Sequence, residues 1–321
     1  MNLADEVERR DALSVAGNRP IHLAIGMFDG VHLGHRSVIE AAVVSARRTG
    51  GVAMALTFDP HPSRVLRPEA AVPLLMPAET KAQRLRMLGA EAVITERFTP
   101  EFAAVEAEEF VPMLQRAFPR LKGLYVGDNW RFGRGRRGDV ALLQQLAKAA
   151  GLSVFSAPRV SLDGEPISST RIRAALAAGE IEEANALLGY SYRSETRVVP
   201  GRKLGRTLNF PTLNMGWEPE CRPALGVYAV RIGRGGDDQL DRSGVANYGL
   251  RPTVENAAEA RPLLEVHVFD GAVSWGDGDR LAVEWCHFIR PERRFAELEA
   301  LKAQIAQDAE TAKQWLGKST D

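Results

Sequence analysis

The sequence predicts an α/β domain with a doubly wound parallel sheet, followed by a small antiparallel β-barrel with a closing helix. Three observations support this prediction. The chain has 321 residues, which is long for one domain and comfortable for two. In the first half, strand-like and helix-like runs alternate, as they do in parallel sheets with crossover helices. In the second half, short strand-like runs are separated by Gly, Pro and Asp, which is typical of an antiparallel barrel or sandwich.

The first half opens with a strand-like run, IHLAIGMF, at residues 21–28. The run at 35–48 has apolar residues at helical spacing and predicts an amphipathic helix. The same patterns then alternate as strand 51–58, helix 79–89, strand 91–98, helix 107–118 (despite Pro112), strand 121–127, helix 139–151 and strand 152–158. Two short helices over about 169–188 complete this half, so we expect a first domain spanning residues 1–188.

In the second half, residues 189–321, the alternation of strands and helices gives way to short strand-like runs. Its strand-like runs are ETRVVPG, ALGVYAVRIG, RSGVANYG, LLEVHVFDG and LAVEWCHFI. A long helix at 295–316 closes the chain. We therefore expect the barrel domain to occupy residues 189–321.

The composition excludes several classes of function. The formal net charge is zero, whereas a dedicated nucleic-acid binder usually carries a basic excess. No run approaches the length of a transmembrane helix, and the polar N-terminus does not resemble a secretory signal. Cys221 and Cys286 lack metal-type spacing and are expected to be reduced thiols. We expect a cytoplasmic protein, monomeric or weakly homo-oligomeric, whose partners are small molecules rather than nucleic acid or membrane.

The stretch GMFDGVHLGH, residues 26–35, lies at the carboxyl end of the first predicted strand, where doubly wound sheets bind their ligands. Helix N-termini present unpaired N–H groups and a partial positive charge, and glycines let a phosphate approach the backbone. His32 and His35 bracket the start of the next predicted helix, so they can donate hydrogen bonds to a phosphorus centre on which charge builds. A plain glycine turn with solvated histidines would explain the same residues.

A second pattern, ISSTRIRAAL, occupies residues 167–176. Ser169 and Thr170 lie where a helix begins, so their hydroxyls can cap that helix or bind phosphate. Arg171 adds a fixed positive charge with forked donors. An ordinary helix cap is the alternative explanation, but His32 and His35 in the same predicted domain favour a nucleotide site.

These stretches together resemble a known family. GMFDGVHLGH is similar to the nucleotidylyltransferase signature, with its G-x-F-D-x-x-H-x-G-H pattern. LTFDPHP (56–62), VGDNWRFGRGRRGD (126–139) and ISSTRIRAAL resemble three further segments of the bacterial flavin-adenine dinucleotide (FAD) synthetases. The resemblance implies adenylyl transfer, in which the phosphate of FMN attacks the α-phosphate of ATP and pyrophosphate leaves. Mg²⁺ is the expected ion of this reaction.

The resemblance also assigns roles to residues. It implies that His32 and His35 are catalytic. The implied ATP-binding residues are Gly26, Phe28, Asp29, Gly34, His35, Ser169, Thr170 and Arg171. The implied flavin contacts are Phe58, Asn129 and Trp130, of which Asn129 suits hydrogen bonding and Trp130 suits stacking. An ordinary turn with a core aromatic would also account for Asn129 and Trp130.

Two features of the second half are candidates for a metal site and a general base. In VVPGRKLGRTLNFPTLNM (198–215), Thr212 and Asn214 are two residues apart and therefore share a face of an extended segment. A hydroxyl oxygen beside an amide oxygen suits Mg²⁺ with its nucleotide phosphates, although turn chemistry at a strand edge would explain the pair as well. Glu265 alternates with apolar residues in LLEVHVF, so it is either solvent-facing or a general base.

The half from about residue 190 to the end is similar to riboflavin kinase throughout. The resemblance implies that Glu265 is the base that activates the 5′-hydroxyl of riboflavin and that Arg251 helps to form the flavin pocket with the last helix. The implied ATP-binding residues are Gly201, Lys203, Gly205, Thr212 and Asn214, with Thr212 and Asn214 as metal ligands. The family's G-F-P-T-A-N reads NFPTLN here, so Asn209 and Leu213 depart from the pattern.

The resemblance covers nearly the whole chain and implies a bifunctional riboflavin kinase and FAD synthetase. Riboflavin, ATP and FMN would be its substrates, and FMN and FAD its products. Two alternatives stay open at this point. In one, the kinase half has drifted into a module that only holds FMN; in the other, the protein carries flavin without catalysis. A nucleotidylyltransferase with another acceptor would share the motifs of the first half but would not explain the second half.

Overall fold

The computed structural model describes residues 6–201, 210–236, 240–253, 256–269 and 274–318. The chain divides into two compact units, of which the first ends at Ser169 and the second begins at Thr170. We refer to them as the α/β unit and the barrel unit. This division groups the two short helices around residues 169–188 with the barrel, whereas the sequence prediction groups them with the first domain. The functional boundary after residue 188 stays a prediction.

The α/β unit is built on a five-stranded parallel sheet with the order β3-β2-β1-β4-β5. Its helices are α1 (Glu6–Ala16), α2 (Leu33–Thr49), α3 (Pro62–Leu66), α4 (Ala78–Met87), α5 (Pro100–Ala103), α6 (Ala107–Ala117) and α7 (Val140–Ala149). The sheet strands are β1 (Ile21–Ile25), β2 (Val52–Asp59), β3 (Ala92–Arg97), β4 (Leu121–Gly127) and β5 (Ser153–Ala157), and a small hairpin pairs β6 (Ser161–Leu162) with β7 (Glu165–Pro166).

Helices cover both faces of this sheet. Successive side chains of β1 point to opposite faces, and all five of its residues are buried. Leu23 and Ile25 join a core with α1, α6 and α7, whereas Ala24 joins a core with α2 and α4. The doubly wound architecture is thereby confirmed. The strand order reverses between β1 and β4, so the carboxyl end of β1 lies at the switch point where such sheets bind ligands.

The structure corrects the predicted bounds at the end of β1. The strand ends at Ile25 rather than at residue 28, because the backbone of Phe28 takes a φ of 52° that no strand accommodates. Helix α2 begins at Leu33, two residues before the predicted start, with His32 as its N-cap. It ends at Thr49 and is followed by Gly50, whose left-handed backbone is typical of a residue that terminates a helix.

The barrel unit closes six antiparallel strands in the order β10-β11-β12-β9-β8-β13 among the residues described, and β13 pairs with β10. Its strands are β8 (Arg193–Val199), β9 (Leu213–Met215), β10 (Gly226–Arg234), β11 (Arg242–Thr253), β12 (Asn256–Val268) and β13 (Arg280–Pro291). Its helices are α8 (Ser169–Ala178, whose first residue groups with the α/β unit), α9 (Ile181–Leu188) and α10 (Leu298–Lys318). The predicted barrel with a closing helix is confirmed.

Large aromatic side chains fill the interior of the barrel. Tyr228, Tyr248 and Trp285 are fully buried, and the ring centroids of Tyr228 and Trp285 lie 4.7 Å apart. The outer face carries a second, smaller core, in which Ala309 and Ala312 of α10 pack with residues of β10 and β11. Successive side chains of each strand therefore point alternately into the aromatic interior of the barrel and to its outer face, which α10 partly covers.

In the α/β unit, two glycines in the loop that carries Trp130 allow a test of how closely this loop packs against α6. Gly133 and Gly135 both have left-handed backbones, with φ of 71° and 62°. A Cβ on Gly133 would lie 2.6 Å from the Cα of Ala107, whereas a Cβ on Gly135 would meet nothing within 4 Å. We expect Gly135→Ala to lower the free energy of unfolding by about 1–2 kcal/mol through backbone strain alone.

Gly133→Ala should cost more, because Ala107 at the start of α6 must also move. Urea denaturation of the two variants, followed by circular dichroism, measures the difference. Equal losses of stability would contradict the close approach of Gly133 to α6.

Candidate active sites

The stretch GMFDGVHLGH after β1, which we call the histidine corner, has two stacked histidines at its centre. The Nδ1 atom of His32 accepts a hydrogen bond from the backbone N–H of His35 at 3.3 Å, so the ring caps α2. The rings of His32 and His35 stack with centroids 3.6 Å apart, and Phe28 packs edge-on against His35 at 5.4 Å. A Cβ on Gly34 would lie 3.1 Å from the ring of His32, so glycine leaves the room that this stack occupies.

Burial makes these imidazoles neutral at physiological pH. It lowers the pKa of His32 to about 4 and holds the pKa of His35 well below the usual value of 6.5. Because Nδ1 of His32 accepts a hydrogen bond, the proton of its neutral ring lies on Nε2. Nδ1 of His35 is buried and has no hydrogen-bond partner in the described part of the chain. The corner therefore offers neutral imidazole groups to a ligand.

Asp29 connects this corner to two distant segments. Its carboxylate is buried and accepts a hydrogen bond from the backbone N–H of Leu75 at 3.0 Å. Its backbone carbonyl accepts a hydrogen bond from the hydroxyl of Ser169 at 2.8 Å. The structure thus brings together two predicted ATP-binding residues that are 140 positions apart in the chain.

Gly26 and Arg171, two other predicted ATP-binding residues, are accounted for by local contacts. A Cβ on Gly26 would lie 2.8 Å from the ring of Phe28, so that ring covers the Gly26 backbone. Thr170 follows Ser169 in α8. Arg171 lies in the same helix, and its guanidinium donates to the carboxylate of Glu183 on α9 at 2.7 and 2.9 Å. This ion pair belongs to the barrel unit.

Of the predicted flavin contacts of the α/β unit, Phe58 and Trp130 pack in one aromatic core, whereas Asn129 does not. Phe58 is buried and packs against Phe98 and Phe102, with ring centroids 6.1 and 5.6 Å away. Trp130 is half-buried and stacks on Phe132 at 4.8 Å. Asn129 is exposed. The structure does not bring Phe58 and Trp130 into ring contact, although both pack in the core beneath the same face of the sheet.

A cleft opens beside the histidine corner, between the ends of β1 and β2 and the segment that leads into α4. Phe58 and Asp29 line this cleft, so one predicted flavin contact and one predicted ATP contact share it. Its lining residues are Met27, Asp29, Phe58, Asp59, His61, Leu74, Met76, Ala78 and Lys81. Lys81 was not identified from the sequence, because it reads as one of several polar residues on an amphipathic helix.

The barrel unit places a carboxylate between two amides. Glu265 on β12 pairs directly with Asn214 on β9 and with Asn247 on β11. Directly paired residues of an antiparallel sheet point to the same face, with Cβ atoms about 4.5–5.5 Å apart. The three side chains therefore form one polar row on the outer face of the barrel. Glu265 is half-buried and Asn214 is buried.

Asn247 is a candidate that sequence reasoning missed. Its neighbours Val245, Ala246 and Tyr248 are buried, so the available signal is one polar residue among these neighbours. That signal does not reveal the partner, since register across β11 and β12 becomes known only when the strands pair.

The FPTLN segment is held against this row. A Cβ on Gly201 would overlap the side-chain amide of Asn214, so glycine is required where the chain passes this residue. The ring of His267 on β12 donates from Nδ1 to the carbonyl oxygen of Pro211 at 2.8 Å. Thr212 is half-buried beside this contact.

Some predicted kinase residues are not described. Lys203, Gly205 and Asn209 lie outside the described residues. Arg251 lies in β11, where its backbone pairs with Arg261 of β12. Leu213 pairs with Val266, which is buried inside the barrel, so this departure from the family pattern lies on the strand face opposite Asn214.

A buried ion pair fixes α10 to the barrel. Arg290 on β13 donates to both carboxylate oxygens of Asp308 on α10, with the shortest distance 2.7 Å, and Asp308 is only 4% exposed. Val227 on β10 pairs with Arg290 on one side and with Asn247 on the other. The anchor of α10 therefore lies on the same row of the barrel as Glu265.

These features define a protein with one candidate site for phosphate chemistry in each unit. A family model for FAD synthetase matches residues 15–171, and one for riboflavin kinase matches residues 188–316. The chain is 39% identical over 305 residues to the bifunctional riboflavin kinase/FMN adenylyltransferase of Escherichia coli K12, which covers 95% of this chain and 96% of that relative. It is 38% identical to the enzyme of the same name from Haemophilus influenzae over 291 residues, covering 91% of this chain and 92% of that relative.

The chain therefore belongs to the family of bifunctional riboflavin kinases/FMN adenylyltransferases, and the family predicted from the motifs is confirmed. A crystal structure titled as a macrolide-efflux protein from Streptococcus pneumoniae has a similar fold, with a TM-score of 0.83 and 27% identity. That match covers 96% of this chain and 97% of the other. Within the described ranges, no helix combines the length and apolar character needed to cross a membrane.

The buried state of His32 leads to a pH prediction. In NMR spectra of protein labelled with ¹⁵N-histidine, we expect the ring of His32 to remain neutral, with its proton on Nε2, from pH 7 to about pH 5, because its pKa is about 4. A ring that titrates near pH 6.5 would contradict the buried corner.

The same pKa predicts a loss of stability in acid. Folded protein takes up this proton less readily than the unfolded chain, in which the histidine pKa is about 6.5. The contribution of His32 is therefore complete above pH 6.5 and is lost as the pH falls towards 4, by about 1.4 kcal/mol per pH unit. His32→Asn, which keeps a capping side chain, should remove this part of the pH dependence in urea titrations.

Proposed function

We propose that this chain phosphorylates riboflavin to FMN in the barrel unit and adenylylates FMN to FAD in the α/β unit. The observation that carries the proposal is the similarity to bifunctional relatives through both halves, each of which matches one activity. The polar row around Glu265 and the histidine corner supply a chemical group for each step. We expect the protein to act in the cytoplasm as a monomer or weak homo-oligomer.

In the kinase step, the 5′-hydroxyl of riboflavin attacks the γ-phosphate of ATP. Glu265 accepts the proton of that hydroxyl, the new oxygen–phosphorus bond forms, and ADP leaves. Asn214 and Asn247 flank the carboxylate in strand register, so their amides can orient it towards the hydroxyl. Arg251 and α10 are the proposed contacts of the flavin ring.

Thr212 and Asn214 are the proposed ligands of Mg²⁺ in this site. A hydroxyl and an amide oxygen are hard donors that suit this ion, and the described residues contain no cluster of three His, Cys, Asp or Glu side chains that could hold a metal. An ion here would take most of its ligands from phosphates and water. Bound Mg²⁺ would neutralise charge on the phosphates of ATP. Gly201, Lys203 and Gly205 complete the proposed nucleotide contacts.

In the adenylyl step, a phosphate oxygen of FMN attacks the α-phosphorus of ATP, and the bond to pyrophosphate breaks. His32 and His35 donate hydrogen bonds to oxygens on which negative charge grows, and the N-terminus of α2 adds a partial positive charge. Neutral imidazoles suit this role because a donor is needed rather than a base. No covalent intermediate with a side chain is required.

The proposed substrate contacts of this step are the residues that the family resemblance implies. ATP would contact Gly26, Phe28, Asp29, Gly34, Ser169, Thr170 and Arg171, and the flavin would contact Phe58, Asn129 and Trp130. The hydrogen bond from Ser169 to Asp29 supports a shared role for these two residues.

A time course tests the proposed pair of activities. Purified protein is mixed with riboflavin, ATP and Mg²⁺, and the products are separated by chromatography. We expect FMN to appear first and FAD later, because FMN is the acceptor of the second step. FAD formed only when FMN is supplied would mean that the kinase half is silent. Flavin binding without either product would favour a carrier.

Glu265→Gln tests the assignment of the base. The amide keeps the size of the side chain but accepts a proton poorly, so we expect FMN formation to fall by about 10²-fold or more. FAD formation from supplied FMN should be unchanged. Both rates are measured in the same chromatographic assay.

Glu284→Gln is the matched control. Glu284 is also half-buried on a barrel strand, but it pairs in register with Arg231 and Arg193 rather than with amides. Kinase activity that survives Glu265→Gln would show that another group takes the proton.

A further inference from the structure

Lys81 is a buried lysine that the proposed mechanism leaves without a role. It lies on α4 and is 7% exposed, although lysine is among the residues least often buried without partners. Its ammonium donates to the carbonyl oxygen of Phe58 at 3.1 Å and to that of Met27 at 3.3 Å. An ammonium has three N–H donors, so one remains beyond these two backbone contacts.

The two carbonyls mark the point where β1 and β2 separate. The strands pair in parallel as far as Ile25 and Leu56, and the N–H of Gly26 still donates to Leu56 at 3.1 Å. Beyond this point the first chain turns into the histidine corner, whereas Phe58 continues to pair with β3. The Lys81 ammonium therefore bridges two backbones that no longer hydrogen-bond to each other as a sheet.

The surroundings of this ammonium are rich in charge. Lys81 lines the cleft together with Asp29 and Asp59. Burial lowers the pKa of Lys81, and the carboxylates of Asp29 and Asp59 oppose that shift. The titratable groups on the elements around it include Asp29, Asp59 and His61 in the segments at and after the ends of β1 and β2, His35 on α2, Glu79, Arg84 and Arg86 on α4, and Glu96 and Arg97 on β3.

We propose that Lys81 is a positioning residue for adenylyl transfer, in which its ammonium holds the Met27 and Phe58 carbonyls at a fixed spacing. Together with the hydroxyl of Thr57, which donates to the Met27 carbonyl oxygen at 3.0 Å, this contact sets the distance between the histidine corner and the end of β2 while substrates bind in the cleft. The inference rests on the proposed FMN adenylyltransferase activity of the α/β unit. Lys81 acts through the backbone, since its contacts are to carbonyls at the base of the corner.

Lys81→Met tests this role, because methionine has a side chain of similar length with no N–H donor. We expect kcat for FAD formation from FMN and ATP to fall at least tenfold, with a smaller change in KM. Kinase activity of the same protein should be unchanged. Lys81→Arg keeps the charge and donors and should restore part of kcat. Lys148→Met, at an exposed lysine of α7, should behave as wild type.

A pH profile separates positioning from general stability. We expect wild-type kcat to fall at alkaline pH, below the ordinary lysine pKa of 10.5, because loss of the Lys81 proton removes the charge that strengthens its hydrogen bonds to the two carbonyls. Arginine does not titrate in this range, so Lys81→Arg should remove that limb or move it to higher pH.

Two results would overturn the role: a folded Lys81→Met protein with kcat within twofold of wild type, or a Lys81→Arg protein with an unchanged alkaline limb. If Lys81→Met does not fold, the Lys81→Arg profile decides. Wild-type protein that forms no FAD from FMN would instead overturn the proposed function and this role with it.

Discussion

The α/β unit depends on the left-handed backbone at the end of β1. Phe28 and Val31 have φ of 52° and 38°, a region that costs a residue with a side chain about 1–2 kcal/mol. Both side chains are buried, so core packing opposes that cost. The turn lets the chain leave the sheet and enter α2 within a few residues. The N-terminus of α2 and both histidines therefore lie together at the switch point of the sheet.

The barrel unit depends on strand register in a comparable way. Moving β12 by one residue would turn Glu265 towards the aromatic interior and replace it on the outer face with a buried aliphatic neighbour. Burial of Leu264 and Val266 on β12 opposes such a slip, because it would turn these apolar side chains out of the barrel interior. The same row ends in the ion pair between Arg290 and Asp308, which ties α10 to the outer face that carries Glu265.

The two candidate sites differ in their electrostatics. The histidine corner excludes water and keeps its imidazoles neutral, so it contributes oriented donors rather than charge. The barrel places a half-exposed carboxylate between amides, which leaves a proton acceptor available. Both arrangements suit transfer to or from a phosphate that needs positioning and charge stabilisation rather than a covalent enzyme intermediate. A chain with zero net charge can supply both, because local burial and pairing decide the behaviour of each group.

The sequence by itself determined the alternation of strands and helices, the change to an antiparallel half, and the family. These depend on local periodicity and on motifs that occupy adjacent positions, such as GMFDGVHLGH and ISSTRIRAAL. Only the tertiary structure decided which distant residues meet. The contact of Ser169 with Asp29, the pairing of Asn247 with Glu265 and the reach of Lys81 to Phe58 join segments 140, 18 and 23 residues apart. Strand order, register and burial set these contacts, and none of the three is encoded in the spacing of neighbouring residues.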